Sequence, residues 1–317
     1  MRCPNQGWAH AVGNRDDELL NMPTHRIQTG IPALDEALGG GLIPGTLTVV
    51  AGATGIGKTQ LGLQFAHQGC AQEGEPGIIF DMTTRGDSQN QDDYARRLFD
   101  WELSCQPPGD QVHPSEVWNR ESARRDYLHI FARNGRRVTR GDLEFDDWKV
   151  WKLELLKKLQ MCIRFFYGNF VQGVRRCVID GVEPTVKASD SFQFDTFDYV
   201  YHQILRKEDD WVARDLFREQ FRANSAEVDK HRYNHTEIAC LLLYTTHDVM
   251  LDDMLVRPID SGDVFANANT IIYMGKTREA NRMGRALHVA KHRGSACDDA
   301  IIPFEVTERG IVMGTAN

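Results

Sequence analysis

Gly52-Ala53-Thr54-Gly55-Ile56-Gly57-Lys58-Thr59 follows the run Thr46-Leu47-Thr48-Val49-Val50-Ala51 and opens Gln60-Leu61-Gly62-Leu63-Gln64-Phe65-Ala66. The short β-branched run reads as a buried strand. Leu61, Phe65 and Ala66 then recur at helical spacing. Strand, glycine-rich turn and Lys-Thr at a helix start make the phosphate-binding P-loop pattern. Glycines let successive backbone N–H groups converge on phosphate oxygens without Cβ atoms in the way. The helix start adds unpaired donors and the positive end of its dipole. Residues Ala53, Thr54, Gly55, Ile56, Gly57, Lys58, Thr59 and Gln60 are therefore expected to cradle a nucleotide. In that role Lys58 bridges the β- and γ-phosphates and the Thr59 hydroxyl ligates magnesium. An ordinary Gly-rich loop is the plain alternative, and the flanking strand and helix argue against it.

At 317 residues the chain can bury a substantial core as one large domain or two small ones. A hydrophobic fraction of 41% suits a soluble globular protein. No run of about eighteen apolar residues exists, and the N-terminus has no apolar signal-peptide core, so a cytoplasmic protein without a membrane span is expected. The seven cysteines are scattered with no CxxC pair, which argues against a cysteine zinc site and a disulfide framework. Cys162, Cys177 and Cys240 lie in apolar runs and read as small core residues. A net charge of −8 disfavours nonspecific DNA binding, although a local patch can act against the average.

Residues 1–25 read as a loose leader, and 26–317 as the organised domain. Ile31, Leu34, Ala37 and Leu38 are spaced as a short helix, ended by Gly39-Gly40-Gly41. Strands are expected at Gly77–Met82, Tyr127–Phe131, Arg175–Gly181 and Ile238–Tyr244, and a weak helix over Tyr94–Trp101. Arg133, Arg136, Arg137 and Arg140 form a basic loop, offset by Asp142, Glu144, Asp146 and Asp147. It reads as a solvated turn or, on charge alone, as a nucleic-acid or partner contact. Trp148, Trp151, Leu155, Leu159, Ile163 and Phe166 predict a long amphipathic helix with the tryptophans on its core face. A second helical region covers about Phe194 to Asp229. Beyond Gly262 the pattern becomes all strand, at Thr270–Met274, Ala286–Lys291, Ile301–Val306 and Ile311–Met313. The predicted class is α/β: a mostly parallel sheet flanked by helices, with a C-terminal antiparallel β-meander.

Asp180 ends an apolar strand well downstream of the P-loop, where a Walker B acid orients magnesium through its water shell. Many buried strands end in Asp for structural reasons, so Asp180 gains meaning from its pairing with Lys58-Thr59. Residues 26 to 313 resemble the KaiC-type branch of the RecA-like ATPases, as a single-domain version. The resemblance rests on Arg26-Ile27-Gln28-Thr29-Gly30-Ile31-Pro32-Ala33-Leu34-Asp35-Glu36-Ala37-Leu38-Gly39-Gly40-Gly41 before the P-loop. It rests equally on Ala290-Lys291-His292-Arg293-Gly294-Ser295 followed by Pro303-Phe304-Glu305-Val306. It implies a RecA-like P-loop fold, Mg-ATP at subunit interfaces and a homo-oligomer, usually a hexameric ring. It also implies that Lys291 and Arg293, on one strand face with His292 opposite, reach the neighbouring subunit's ATP. Spacing alone would leave them as edge-strand charges that deter aggregation. Against the family pattern, the segment from about 207 to 236 is a longer helical insertion.

Two departures bear on chemistry. Where the family ends its second strand with paired glutamates, one of which polarises the lytic water, this chain has Thr83 and Thr84. A threonine hydroxyl is no general base near neutral pH, which leaves Asp81, two residues earlier, as the candidate carboxylate. Phosphorylating members carry adjacent Ser and Thr where this chain has Phe265 and Ala266, so autokinase activity is not expected. His247 stands where RecA-like proteins place a γ-phosphate sensor, or is a satisfied structural group. His231 and His235, four apart, read as surface residues rather than zinc ligands. The leading expectation is an oligomeric Mg-ATP-binding protein, a slow ATPase whose nucleotide state controls assembly and contacts with a protein partner. The rivals are a nucleic-acid-dependent RecA-like motor or filament, and a hydrolysis-deficient nucleotide-sensing scaffold.

Overall fold

The computed structural model describes residues 25–83, 91–106, 114–131, 145–183, 192–256 and 264–314, with side chains throughout except at 114–115, 145–157, 192, 264 and 279. The expected leader up to residue 24, Thr84, the basic loop from Arg133 to Arg140 and its offsetting acids Asp142 and Glu144 lie outside the described residues. So do the side chains of Asp146, Asp147, Trp148, Trp151 and Leu155.

β1 (Leu47–Gly52) is buried along its whole length. It runs parallel between β5 (Ala239–Thr245) and β6 (Thr270–Glu279). Outward from β5 come β4 (Arg176–Val182), β2 (Ile78–Asp81) and β3 (Tyr127–His129), all parallel. On the other flank β7 (Arg282–His292), β8 (Ile301–Thr307) and β9 (Gly310–Met313) continue antiparallel. The nine-stranded order is β3-β2-β4-β5-β1-β6-β7-β8-β9. The expected mostly parallel sheet with an antiparallel C-terminal meander is what forms.

Strand period two explains why the central strands read as continuous apolar runs: both faces are covered. Val49, Phe80, Ile179 and Leu242 enter one core, against Ile163, Phe166 and Phe170 of α4 (Phe145–Val171). Their neighbours Val50, Ile79, Val178 and Leu241 enter the other. That second core is closed by Leu34 of α1 (Pro32–Ala37), Leu61 and Phe65 of α2 (Lys58–His67) and Ala95 of α3 (Gln91–Phe99). Below α2 the fully buried Arg176 donates to Glu73 Oε2 at 2.6 Å and to the Phe65 carbonyl at 2.9 Å. It thereby joins the start of β4 to the P-loop helix.

The meander and the helical insertion differ in detail from the expectation. The expected helical region Phe194–Asp229 forms as several pieces: α5 (Phe192–Val200), a π turn Tyr201–Leu205, α6 (Asp209–Phe217) and α7 (Phe221–Lys230). Arg218, at φ 48, breaks the chain after α6. β6 and β7 extend well past their apolar stretches into a hairpin turning at Ala280, φ 48. Its outer pairs, such as Lys276 with Arg285, are polar, so backbone pairing carries them where side-chain pattern gave no signal. A one-turn helix, Val264–Asn267, also interrupts the region expected to be all strand.

Candidate functional site

Because β1, β4 and β5 are parallel, their carboxyl ends share one edge of the sheet, where ligands bind in open α/β folds. β1 ends there at Gly52, level with Thr245 of β5 and Met274 of β6. A Cβ at Gly52 would lie 2.3 Å from the Met274 carbonyl oxygen, so only glycine lets the chain leave the sheet at this point. Gly57 adopts φ +123 immediately before α2, a left-handed turn that aims the first N–H groups of a ten-residue helix back toward the loop.

Lys58 lies inside this turn and is buried. Its Nζ donates to the Gly52 carbonyl at 2.8 Å and the Ala53 carbonyl at 3.0 Å, leaving one ammonium N–H for a ligand. Burial pulls its pKa down to about 8, against the opposing pull of Asp180 and Glu183. Thr59 Oγ1 donates to Asp180 Oδ2 at 3.0 Å. Gln91 Nε2 donates to the same oxygen at 2.8 Å, and the Gly181 N–H to Oδ1 at 2.7 Å. Burial raises the Asp180 pKa, the neighbouring Asp81 raises it further, and Lys58, Gln91 and Thr59 counter this only in part.

These residues fit a magnesium-nucleotide. A hydroxyl and one carboxylate oxygen lie side by side next to a buried ammonium at a helix start. Magnesium takes few protein ligands and completes its shell with water and phosphate oxygens. The described residues hold no group of three or more His, Cys, Asp or Glu that could hold a metal ion by themselves.

Asp81, at the end of β2, is the register partner of Asp180. It is buried, and both its oxygens are engaged: Tyr127 Oη donates to Oδ2 at 2.6 Å and the Thr83 N–H to Oδ1 at 2.7 Å. Burial and Asp81 both push the Tyr127 phenol upward, so it stays a donor. The Thr83 carbonyl meets His129 Nε2 at 2.9 Å, and the Met82 carbonyl accepts from Gln193 Nε2 at 2.8 Å. The backbone at Met82 and Thr83 is therefore held on several sides, beside Gly181, whose Cβ would fall 2.3 Å from the Thr83 nitrogen.

Lys291 and Arg293 stand apart from this edge. Lys291 pairs with Ile271, which pairs with Val49, placing it roughly 10 Å back along the sheet from Gly52 by strand rise. Arg293 lies beyond it and is exposed, and His292 turns inward, Nδ1 2.9 Å from Thr270 Oγ1. Lys291 Nζ donates to the Phe265 and Ala266 carbonyls at 3.1 and 3.2 Å. Partial burial lowers its pKa, and Arg293 lowers it further. Neither cation is placed to serve its own P-loop.

His247 is exposed, one residue beyond Thr246, whose N–H donates to the Gly52 carbonyl at 3.0 Å. His231 and His235 do not share a helix face, since α7 ends at Lys230 and His235 begins a separate 3-10 turn. His231 is partly exposed and stacks on Trp118 with ring centroids 4.7 Å apart. Sequence reasoning missed Gln91, Tyr127 and Glu183. Gln91 sits in a polar stretch with no pattern, and only strand register brings Tyr127 to Asp81.

A family model described as "ATPase: KaiC" matches residues 27–104. The circadian clock oscillator protein KaiC of Prochlorococcus marinus (strain MIT 9313) is 41% identical over 59 residues, 19% of this chain and 12% of that protein. The DNA repair protein RadA of Mycobacterium tuberculosis (strain CDC 1551 / Oshkosh) is 49% identical over 45 residues, 14% of this chain and 9% of RadA. The matched stretches thus span about a tenth of these relatives' length. The crystal structure of a KaiC-like protein from Pyrococcus horikoshii OT3 superposes with a TM-score of 0.50 at 18% identity, covering 92% of this chain and 100% of that one. At that identity the likeness is one of fold. No described helix is long and apolar enough to cross a membrane.

Proposed function

From a chain that is KaiC-like in its P-loop segment and RecA-like in fold, we propose an oligomeric Mg-ATP-binding protein that hydrolyses ATP slowly and whose nucleotide state controls assembly and partner contacts. The observation that carries this reading is the convergence of Lys58, Thr59 and Asp180 at the carboxyl edge of the sheet. Magnesium bound by Thr59 and Asp180 would neutralise charge on the β- and γ-phosphates. The chain's own part is positional: the loop from Ala53 to Gln60 wraps the phosphates, and Lys58 supplies a fixed cation.

Slowness follows from Thr83 in the glutamate position and from the engagement of both Asp81 oxygens. Asp81 remains the nearest candidate base on β2, restrained by Tyr127. Assembly follows from Lys291 and Arg293, whose distance from their own P-loop suits a neighbour's nucleotide in a head-to-tail ring, six subunits being the size favoured. Light scattering with and without ATP tests this: ATP between subunits tightens assembly by mass action, and a monomer under both conditions contradicts it.

A second reading, a nucleotide-sensing scaffold without turnover, is favoured by the same tied Asp81. Phosphate release separates it from the first. Stimulation of that release by single-stranded DNA would favour a nucleic-acid-dependent motor instead, a reading to which the RadA match lends support and the net charge of −8 does not.

A further inference from the structure

The carboxylate at the end of β4 receives a hydrogen bond that the P-loop pattern does not require. Gln91 opens α3 and is 6% exposed. Its Nε2 lies 2.8 Å from Asp180 Oδ2, the oxygen that also accepts from Thr59 Oγ1. The Gly181 N–H takes Oδ1 at 2.7 Å. Three donors from three places, α2, α3 and the backbone after Asp180 itself, thus fix the plane of one carboxyl group. Without them, rotation about χ2 is soft, because an sp³–sp² torsion has broad wells.

We infer that Gln91 is a positioning residue of the metal site, turning Asp180 so that Oδ2 stays beside the Thr59 hydroxyl. The inference rests on the magnesium-nucleotide reading above. An amide suits the task better than a charged donor would. Lysine or arginine at this place would cancel the Asp180 charge that attracts a cation, whereas the Gln91 amide orients the carboxylate and leaves its charge intact. A glutamate would offer no donor there and would add a third carboxylate to Asp81 and Asp180.

The support for Gln91 is rigid. The Leu103 N–H donates to Asp92 Oδ1 at 3.1 Å, tying the first turn of α3 to the chain beyond its end. Ala95 is fully buried in the core that α2 shares, with Tyr94 and Leu98 packed against it.

Hydrogen-bond partners outside the first coordination shell are worth roughly ten- to hundredfold in metal affinity. The test is to titrate Mg2+ into full-length protein holding a fluorescent ADP analogue, comparing the unmodified chain with Gln91→Leu, which keeps bulk and removes the donor. The Mg2+ midpoint should rise roughly ten- to hundredfold. Affinity for the analogue in EDTA should stay unchanged and the variant should keep a cooperative melt, a combination that loss of the fold would not produce. Gln91→Met serves the same comparison if the leucine variant fails to fold. Analogue binding with an unchanged Mg2+ midpoint in a folded variant would overturn the inference alone. No analogue binding by the unmodified protein would overturn the nucleotide reading and the inference with it.

Discussion

Asp81 and Asp180 are register partners on β2 and β4, two buried carboxylates at one edge of the sheet with different donors. Asp180 accepts from Thr59 and Gln91 on the P-loop side, whereas Asp81 accepts from Tyr127 and the Thr83 backbone on the other. In the proposed function Asp180 would hold the metal and Asp81 would be a base restrained by its donors. If Asp81 is the restrained base, Tyr127→Phe frees Oδ2 and should raise phosphate release several-fold. Asp81→Asn added to that variant should cancel the gain. A steady-state phosphate assay in which Tyr127→Phe leaves the rate untouched would remove Asp81 from the chemistry.

Thr83→Glu tests the expectation that a family glutamate is replaced here, by supplying a carboxylate at that position. A positioned general base is worth about a hundredfold to ten-thousandfold, so even partial recovery should be plain in single-turnover kinetics. Nucleotide affinity should hold, since Lys58, Thr59 and Asp180 are untouched. A folded Thr83→Glu protein with unaltered turnover would place the water-activating group elsewhere.

Arg293→Ala should slow hydrolysis while leaving ATP binding intact, because Arg293 is exposed and remote from its own loop. Mixed with Lys58→Ala, it should regain part of the lost activity at hybrid interfaces, where an intact loop meets an intact finger. No regain at any mixing ratio would leave Lys291 and Arg293 as edge-strand charges.

Lys58 sets a pH dependence of stability whose sign is fixed. Its pKa is about 8 in the fold against 10.5 when free, so between those values the unfolded chain holds the extra proton. Unfolding free energy then rises with pH across that window, by up to about 3 kcal/mol on the scale of 1.36 kcal/mol per unit. Without added nucleotide, chemical denaturation between pH 7 and 10.5 should show this rise relative to Lys58→Met. Parallel curves for the two proteins would mean that Lys58 is solvated rather than enclosed.

The sheet was legible because its strands are buried on both faces: Val49-Val50, Ile78-Ile79 and Leu241-Leu242 each feed two cores, leaving apolar runs that need no alternation. The P-loop was legible because phosphate binding dictates residue types at fixed spacing. What surrounds it was not. Gln91 and Tyr127 reach Asp180 and Asp81 from 89 and 46 residues away, a juxtaposition made by strand order and register. The outer half of the β6–β7 hairpin left no trace because its pairs are polar. Arg218 broke the helical region after α6 at a residue whose type gives no warning of a positive φ.

The central claim is that this chain binds Mg-ATP through Lys58. Calorimetric titration of ATP with magnesium into the unmodified protein and into Lys58→Ala tests it most directly, with a thermal melt of each. Saturable binding by the first, its loss in the second and a cooperative melt of both are expected, since Lys58 serves the phosphates rather than the core. Equal affinity in both proteins would contradict the assignment.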